Sequence, residues 1–308
     1  MPRRNPLSRA AALTAPLLVA AGVLAGLTAC SGTTGPDEST GSSGTTAAPA
    51  QDGRAQRPSP TVTVPVTSAM PADVADMVLP TTGVQTRWTQ GLDAFGRLAA
   101  DTAVRGCLTE RKTPAPPHEP PAFVRFSDIP DLPFIARNGF NGVIVPGAAD
   151  SSKDRPAEGG AGQEVQERCM QTGMAVDQGL RSLYLKVQGQ WFQEESSLRN
   201  HPRVVAALRG FGPCLAGHKV EARDENAFFA LVDQRLQAGD TAGEHALAGA
   251  YAVCMKPVED VRSELRKPLA ARFRADHREE IAALNTALPA KIHELERRYS
   301  VRISFPAL

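Results

Sequence analysis

Apolar residues recur every three or four positions through most of the chain beyond residue 83, which is the spacing of amphipathic helices. Val84, Trp88, Leu92, Phe95 and Ala99 predict a first helix that ends near Cys107. Val165, Cys169, Val176, Leu180, Tyr184, Val187 and Trp191 predict one long second helix. Pro202 suits a first helical turn, with Val204, Leu208, Phe211 and Leu215 on one face behind it and Gly217 as the stop. Asp224 caps a helix carrying Phe228, Leu231, Val232 and Leu236, closed by Gly239. Thr241-Ala242-Gly243-Glu244 reads as a capping box, in which the Thr and Glu side chains each accept from the other's free amide. It opens a helix with Leu247, Tyr251, Cys254, Val258, Val261 and Leu265. Pro257 is expected to kink that helix, and Pro268 to break or restart it. Leu269, Phe273, Ile281, Leu284 and Leu288 form the last helix, which continues past Pro289 through Ile292, Leu295 and Tyr299. The expected fold is an all-α, disulfide-braced bundle of roughly six helices.

Strand signals are few and short: Phe123-Val124-Arg125-Phe126, Gly142-Val143-Ile144-Val145 and Val301-Arg302-Ile303-Ser304, enough for a short β-ribbon in a long loop. That loop is a Pro/Gly-rich insertion at about 113–162. Its centre, 123–145, is apolar, and Asn138-Gly139 and Asn141-Gly142 mark turns. It is expected to pack over the helices, with a recognition surface as the alternative.

The N-terminus carries a different pattern. Arg3, Arg4 and Arg9 precede an apolar stretch, and no acidic residue occurs before Asp37. A basic start, a short apolar core and small residues at its end read as an export signal. Thr14, Pro16 and the glycines of that core suit a permanent membrane span poorly. Arg3-Arg4 is a weak twin-arginine signal, because Asn5-Pro6-Leu7 continues it badly. Residues 31 to about 80 are rich in Ser, Thr, Gly, Ala and Pro and hold no aromatic residue, so they bury too little to offset chain entropy. They read as a tether, with an end-to-end distance of roughly 40 Å. The expected organisation is a signal at 1–29, a lipidated start and tether at 30–82, and a helical domain at 83–306.

Leu27-Thr28-Ala29-Cys30 resembles a lipobox, the processing site of bacterial lipoproteins. The resemblance implies that Cys30 takes a diacylglycerol thioether and becomes the new N-terminus. Export would remove Arg3, Arg4 and Arg9 and take the formal charge from +1 to about −2. A near-neutral chain argues against a nucleic-acid partner, which needs a concentrated basic surface. The charge run at 262–298 is mixed in sign and reads as a solvated helix face.

Four further cysteines, Cys107, Cys169, Cys214 and Cys254, would lie outside the cytoplasm, where disulfides persist. Three pairings are open to them. Cys107–Cys169 with Cys214–Cys254 is favoured, since each then ties a helix to its next long neighbour. The rival is a four-thiolate zinc site, although close CxxC pairs are missing.

Asn200-His201-Pro202-Arg203-Val204-Val205, then Phe211-Gly212-Pro213-Cys214-Leu215, then Ala250-Tyr251-Ala252-Val253-Cys254 and a long charged C-terminal helix resemble a group of exported, lipid-anchored proteins of actinobacteria. The resemblance covers 196–288. Phe211 stands where that group usually has Trp, and Tyr251 and its neighbours where it has Ala-Asp. It implies export, helices and paired cysteines, and no particular activity.

Catalytic motifs are lacking. The histidines His118, His201, His218, His245, His277 and His293 form no close metal pair. His277 and Glu280 sit one turn apart and read as an exposed ion pair. Glu194-Glu195 and Glu279-Glu280 are sequence neighbours, which point in different directions on a helix. Trp191-Phe192 reads as core. Gly-x-Ser-x-Gly, P-loop and dinucleotide patterns do not occur, and Gly159-Gly160-Ala161-Gly162 reads as a hinge. No catalytic residue, metal ligand or cofactor is therefore assigned. The expectation is a lipoprotein held through Cys30 to the outer face of the cell membrane, whose domain binds an envelope protein or polymer. A small-ligand-binding lipoprotein is the alternative, with a pocket between the bundle and 123–145. An envelope hydrolase ranks last.

Overall fold

The computed structural model describes residues 62–63, 65–115, 122–123, 129–140, 143–144 and 160–307. Cys30, the signal, most of the tether and parts of the insertion lie outside the described residues. The fold is all-α and braced by two disulfides. Its helices are α1 (Gly83–Glu110), α2 (Leu132–Asn138), α3 (Gly160–Arg181), α4 (Leu185–Ser196), α5 (Pro202–Leu208), α6 (Phe211–Gly217), α7 (Glu225–Ala238), α8 (Thr241–Asp276) and α9 (Arg278–Tyr299).

Local chemistry explains the boundaries. A capping box not anticipated from sequence starts α1: Gln85 N–H donates to the Thr82 hydroxyl, and Thr82 N–H to the Gln85 amide oxygen. Asp224 caps α7 through the Ala227 amide, and Gly239 ends it in the left-handed conformation. The capping box expected at Thr241 is not formed. Asp240 is the cap, accepting from Gly243 N–H at 2.8 Å, and this frees Glu244 for a buried role described below. The Ala227 and Gly243 amides hold Asp224 and Asp240 below the usual carboxylate range.

Three expected helices have different limits. The long second helix is two, because Leu183 N–H and Tyr184 N–H bond back three residues to Leu180 and Arg181 and tighten the chain between α3 and α4. The helix expected from Pro202 to Gly217 is divided at Arg209–Gly210 into α5 and α6. Pro268 does not break α8, which runs on to Asp276. A proline inside a helix costs roughly 3 kcal/mol. Burial of Arg266, Ala270 and Phe273 on either side of Pro268 offsets that cost.

Two cores result. The first gathers α1, α4, α9 and the C-terminal part of α8 around Phe95, Trp191, Phe273 and Leu288. The second gathers α2, α5, α6, α7 and the N-terminal part of α8 around Phe211, Phe228, Tyr251 and Val258. Only α8, about 54 Å long for its 36 residues, runs through the middle of both. The α1–α3 pair carries Cys107–Cys169 and needs Gly173, where a Cβ would meet Val104 Cγ2 at 2.5 Å and the Ala100 carbonyl oxygen at 2.8 Å. Cys214–Cys254 ties α6 to α8.

Packed structure begins before residue 83, where the helical domain was expected to start. Ala75, Met77, Val78 and Leu79 are fully buried in the first core, in and just after a 3-10 turn at Val74–Met77. Arg274 holds the turn through Asp73 and Asp76, and Asn285 accepts from Ala75 N–H. Beside it β2 (Val66–Thr67) pairs antiparallel with β5 (Phe305–Pro306), so the C-terminal strand forms just beyond the expected 301–304. A second small sheet has the order β1-β4-β3, from β1 (Val62–Thr63), β3 (Ala122–Phe123) and β4 (Val143–Ile144), which places a short ribbon in the insertion.

Reduction of the disulfides should lower the melting temperature of the protein. In the chain-entropy picture, loops spanning 62 and 40 residues each contribute up to about 4 kcal/mol. An unchanged melting temperature after complete reduction would show that the bridges add no stability.

Candidate functional site

The insertion is seated on the bundle by two buried carboxylates. Asp131 caps α2 by accepting from Phe134 N–H and takes an ion pair from Arg87 of α1 at 2.5 Å. Arg87 also donates to the Ala307 carbonyl at 2.8 Å. At the other end of α2, Glu244 of α8 is 1 % exposed and accepts from Phe140 N–H. Gly139 turns the chain there with φ +74°, and a Cβ on it would lie 2.6 Å from both Glu244 oxygens. Phe140 then enters a ring cluster with Phe228, Phe229 and Tyr251, at centroid distances of 5.5–5.9 Å. The described part of the apolar loop, 129–140, is therefore packed as expected.

Where the two cores meet, α8 carries charge inward. Arg266 is 0 % exposed. Its Nε donates to Glu195 of α4 at 3.2 Å, and its Nη1 to Glu259 at 2.9 Å and to the Thr81 carbonyl at 3.0 Å. One turn earlier, Arg262 faces Glu225 of α7 at 3.5 Å and Met255 Sδ at 3.9 Å. The Tyr251 hydroxyl donates to the other Glu225 oxygen at 3.4 Å. Burial, and then the Glu225 charge, push the Tyr251 phenol far above its ordinary pKa, so it stays a neutral donor. The charge run beginning at residue 262 is thus not wholly solvated: Arg262 and Arg266 are buried.

Two concavities open on either side of this junction, and Pro130 lines both. The first is a cleft of about 570 Å³ between the end of α4, α7 and α8. Phe192, Leu198, Leu208 and Phe229 form its apolar side, while Glu195, Arg199, Glu225 and Arg262 bring charge to it. The second is a groove of about 510 Å³ between α2, the start of α1 and α8. Val84 and Val253 are exposed along it, and Glu259 reaches its floor. Of the 123–145 segment, Pro130 alone lines the cleft, whereas Pro130, Asp131, Leu132, Pro133 and Ala136 line the groove.

The residues singled out from sequence have the following places. Cys107–Cys169 and Cys214–Cys254 are bridged, so the four thiolates do not form one zinc cluster. The ligand atoms of Cys214, His218 and Cys254 lie within 4.8 Å of one another, with both sulfurs committed to the disulfide. His277 Nδ1 lies 2.6 Å from Glu280, which also accepts from Lys186; the Lys186 and His277 bonds hold the Glu280 carboxyl below its usual range. Glu194 and Glu195 diverge, Glu194 to the exposed Arg272 and Glu195 to the buried Arg266. Trp191 is core, its indole N–H donating to the Pro80 carbonyl at 3.0 Å, while Phe192 faces the cleft. Cys30 lies outside the described residues.

Sequence reasoning missed Arg262, Arg266, Glu225 and Glu244. The signal was present for two of them: Met255, Val258, Arg262, Arg266, Ala270 and Phe273 continue one stripe at helical spacing. Arginines that interrupt an apolar stripe without ending it mark buried cations. No protein family, curated protein or solved structure matches the chain.

Arg266→Met keeps most of the side-chain length and leaves Glu195 and Glu259 buried without their cation. The expected loss is about 3–5 kcal/mol in urea unfolding. A loss below about 1 kcal/mol, the scale of an exposed pair, would contradict a central role for this cluster.

Proposed function

We propose that this chain is an exported, lipid-anchored protein whose helical domain binds a small ligand in the Phe192–Phe229–Arg262 cleft. The lipobox-like Leu27-Thr28-Ala29-Cys30 supports the anchor, and the basic, apolar N-terminus supports export. Among the described residues no helix is long and apolar enough to cross a membrane; acylated Cys30 would supply the attachment.

The observation that carries the binding reading is the cleft itself. Its volume falls in the range of roughly 300–1,000 Å³ usual for small-molecule sites. It joins an apolar wall to a few fixed polar groups, which is the usual division between affinity and orientation. Its charged groups hold one another in place: Glu225 is engaged by Tyr251 and Arg262, and Glu195 by Arg266. This arrangement suits holding a molecule better than transferring a proton.

A second reading, an envelope protein or polymer as partner, is favoured by one observation. The α2–α8 groove is open and apolar, with Val84 and Val253 exposed along it.

Cys30→Ala should move the protein from the membrane to the soluble extracellular or periplasmic fraction, measured by immunoblotting of fractionated cells. Continued membrane association of the variant would refute the anchor. In that released full chain, the neutral apolar dye Nile red should bind with enhanced fluorescence. Asn226→Trp, at an exposed position on the cleft rim, should abolish the signal; undiminished fluorescence in that variant would refute the cleft as the binding site.

A further inference from the structure

Resting on the reading of the cleft as a ligand site, we infer that its ligand is a small apolar monocarboxylate, with the carboxylate held by Arg262 and the apolar body along Phe192, Leu198 and Phe229.

Arg262 is the reason. Its side chain is nine-tenths buried, yet among the described residues its polar contacts are one pair with Glu225 at 3.5 Å and one contact to Met255 Sδ at 3.9 Å. A tight charge-assisted bond measures about 2.7–2.9 Å. A guanidinium carries five N–H donors in a planar fork. Arg262 therefore borders the cleft with most of that fork unmatched by a close acceptor. A buried cation held this way costs free energy unless a good acceptor completes it. Arg266, one turn away and fully buried, shows the contrast: it meets two carboxylates and a carbonyl at 2.9–3.2 Å. Among the described residues Arg266 thus meets three close acceptors, although its Nη2 has none, whereas the nearest acceptor oxygen of Arg262 lies at 3.5 Å.

The surrounding charges select the acceptor. Glu225, Glu195 and Arg199 also line the cleft, and Glu225 already faces Arg262 at 3.5 Å. A dianion such as a phosphate monoester on Arg262 would bring its second charge against Glu225, and like charges in a partly desolvated site repel strongly. A single carboxylate brings one negative charge and the planar two-oxygen edge that matches the fork. Tyr251 can keep its bond to Glu225 while the ligand takes the face of Arg262 that Glu225 leaves open. Beyond the head, the apolar wall favours a hydrocarbon or aromatic body over a sugar.

Decanoate is a suitable probe, with decanol and decylamine as its neutral and cationic counterparts, titrated calorimetrically into the full chain carrying Cys30→Ala. Decanoate should bind more tightly than either counterpart. Arg262→Gln should weaken decanoate about tenfold or more, equivalent to about 1.4 kcal/mol, and leave decanol unchanged. Asn226→Trp should abolish both. If Arg262→Gln fails to fold, as judged by circular dichroism, Arg262→Lys keeps the charge, loses the fork and should weaken decanoate in the same direction. Equal binding of decanoate and decanol, undiminished binding in the Arg262 variants, or no decanoate binding at ~1 mM would each overturn the inference. In all three cases the Nile red result decides separately whether the cleft binds apolar molecules at all.

Discussion

Arg266 is the point on which the architecture turns. The chain builds two cores, one on α1, α4 and α9 and one on α2, α5, α6 and α7, and only α8 serves both. At the crossing the helix does not present another leucine. It presents a guanidinium that binds Glu195 from the first half, Glu259 from its own helix and the Thr81 carbonyl just before α1. Three segments that share no sequence neighbourhood are thereby fixed to one planar group. An apolar side chain of equal size would fill the space but would fix no direction. A buried ion cluster of this kind specifies geometry more than it adds stability.

The geometry so fixed creates the concavities. Because the crossing is made of charge and not of interdigitated hydrocarbon, the two cores do not merge, and room is left on both sides of the Arg266 cluster. The insertion then shapes that room without filling it. Asp131 pins the start of α2 to Arg87, and Glu244 pins its end through Phe140. Held at both ends, α2 becomes one bank of the groove, and Pro130 just before it lines the cleft as well. Glu244 illustrates how far this depends on capping chemistry. Asp240 takes over the cap, and only then is the Glu244 side chain available to the insertion.

Most of this bundle was legible in the sequence, and the exceptions share a cause. Helical spacing, Pro202, Asp224 and Gly239 located helices correctly because those signals are local. The cysteine pairing was legible because each bridge joins helices that are near neighbours along the chain. The division between α3 and α4 was not, since Leu180, Tyr184, Val187 and Trp191 keep helical spacing straight across the turn and are all buried. Residues 74–79 were read as tether because their composition is bland; they are ordered by Arg274 and Asn285, some two hundred residues away. The site lay in the same blind spot. Arg262 and Arg266 were read as solvated because a charged residue is usually outside, and what buries them is the convergence of α4 and α7 on α8, which no local pattern records.

The placement of the covalent links shows which part of the fold is left to weaker forces. Cys107–Cys169 joins α1 to α3, and Cys214–Cys254 joins α6 to α8 within the second core. Among the described residues neither bridge links the second core to the first. Across the junction ion pairs tie the halves: Arg266 to Glu195, Arg87 of α1 to Asp131 at the start of α2, and at the surface Arg272 to Glu194. The surface pair is exposed and contributes little, so the buried Arg266 cluster and the buried Arg87–Asp131 pair carry most of the electrostatic connection. Disulfides restrict the unfolded chain, whereas the Arg266 cluster acts on the folded one by setting how α4 and α8 meet. The wall of the cleft is made where those two helices meet. The stability that the bridges add and the shape of the cleft therefore rest on different chemistry, oxidation for one and buried charge for the other.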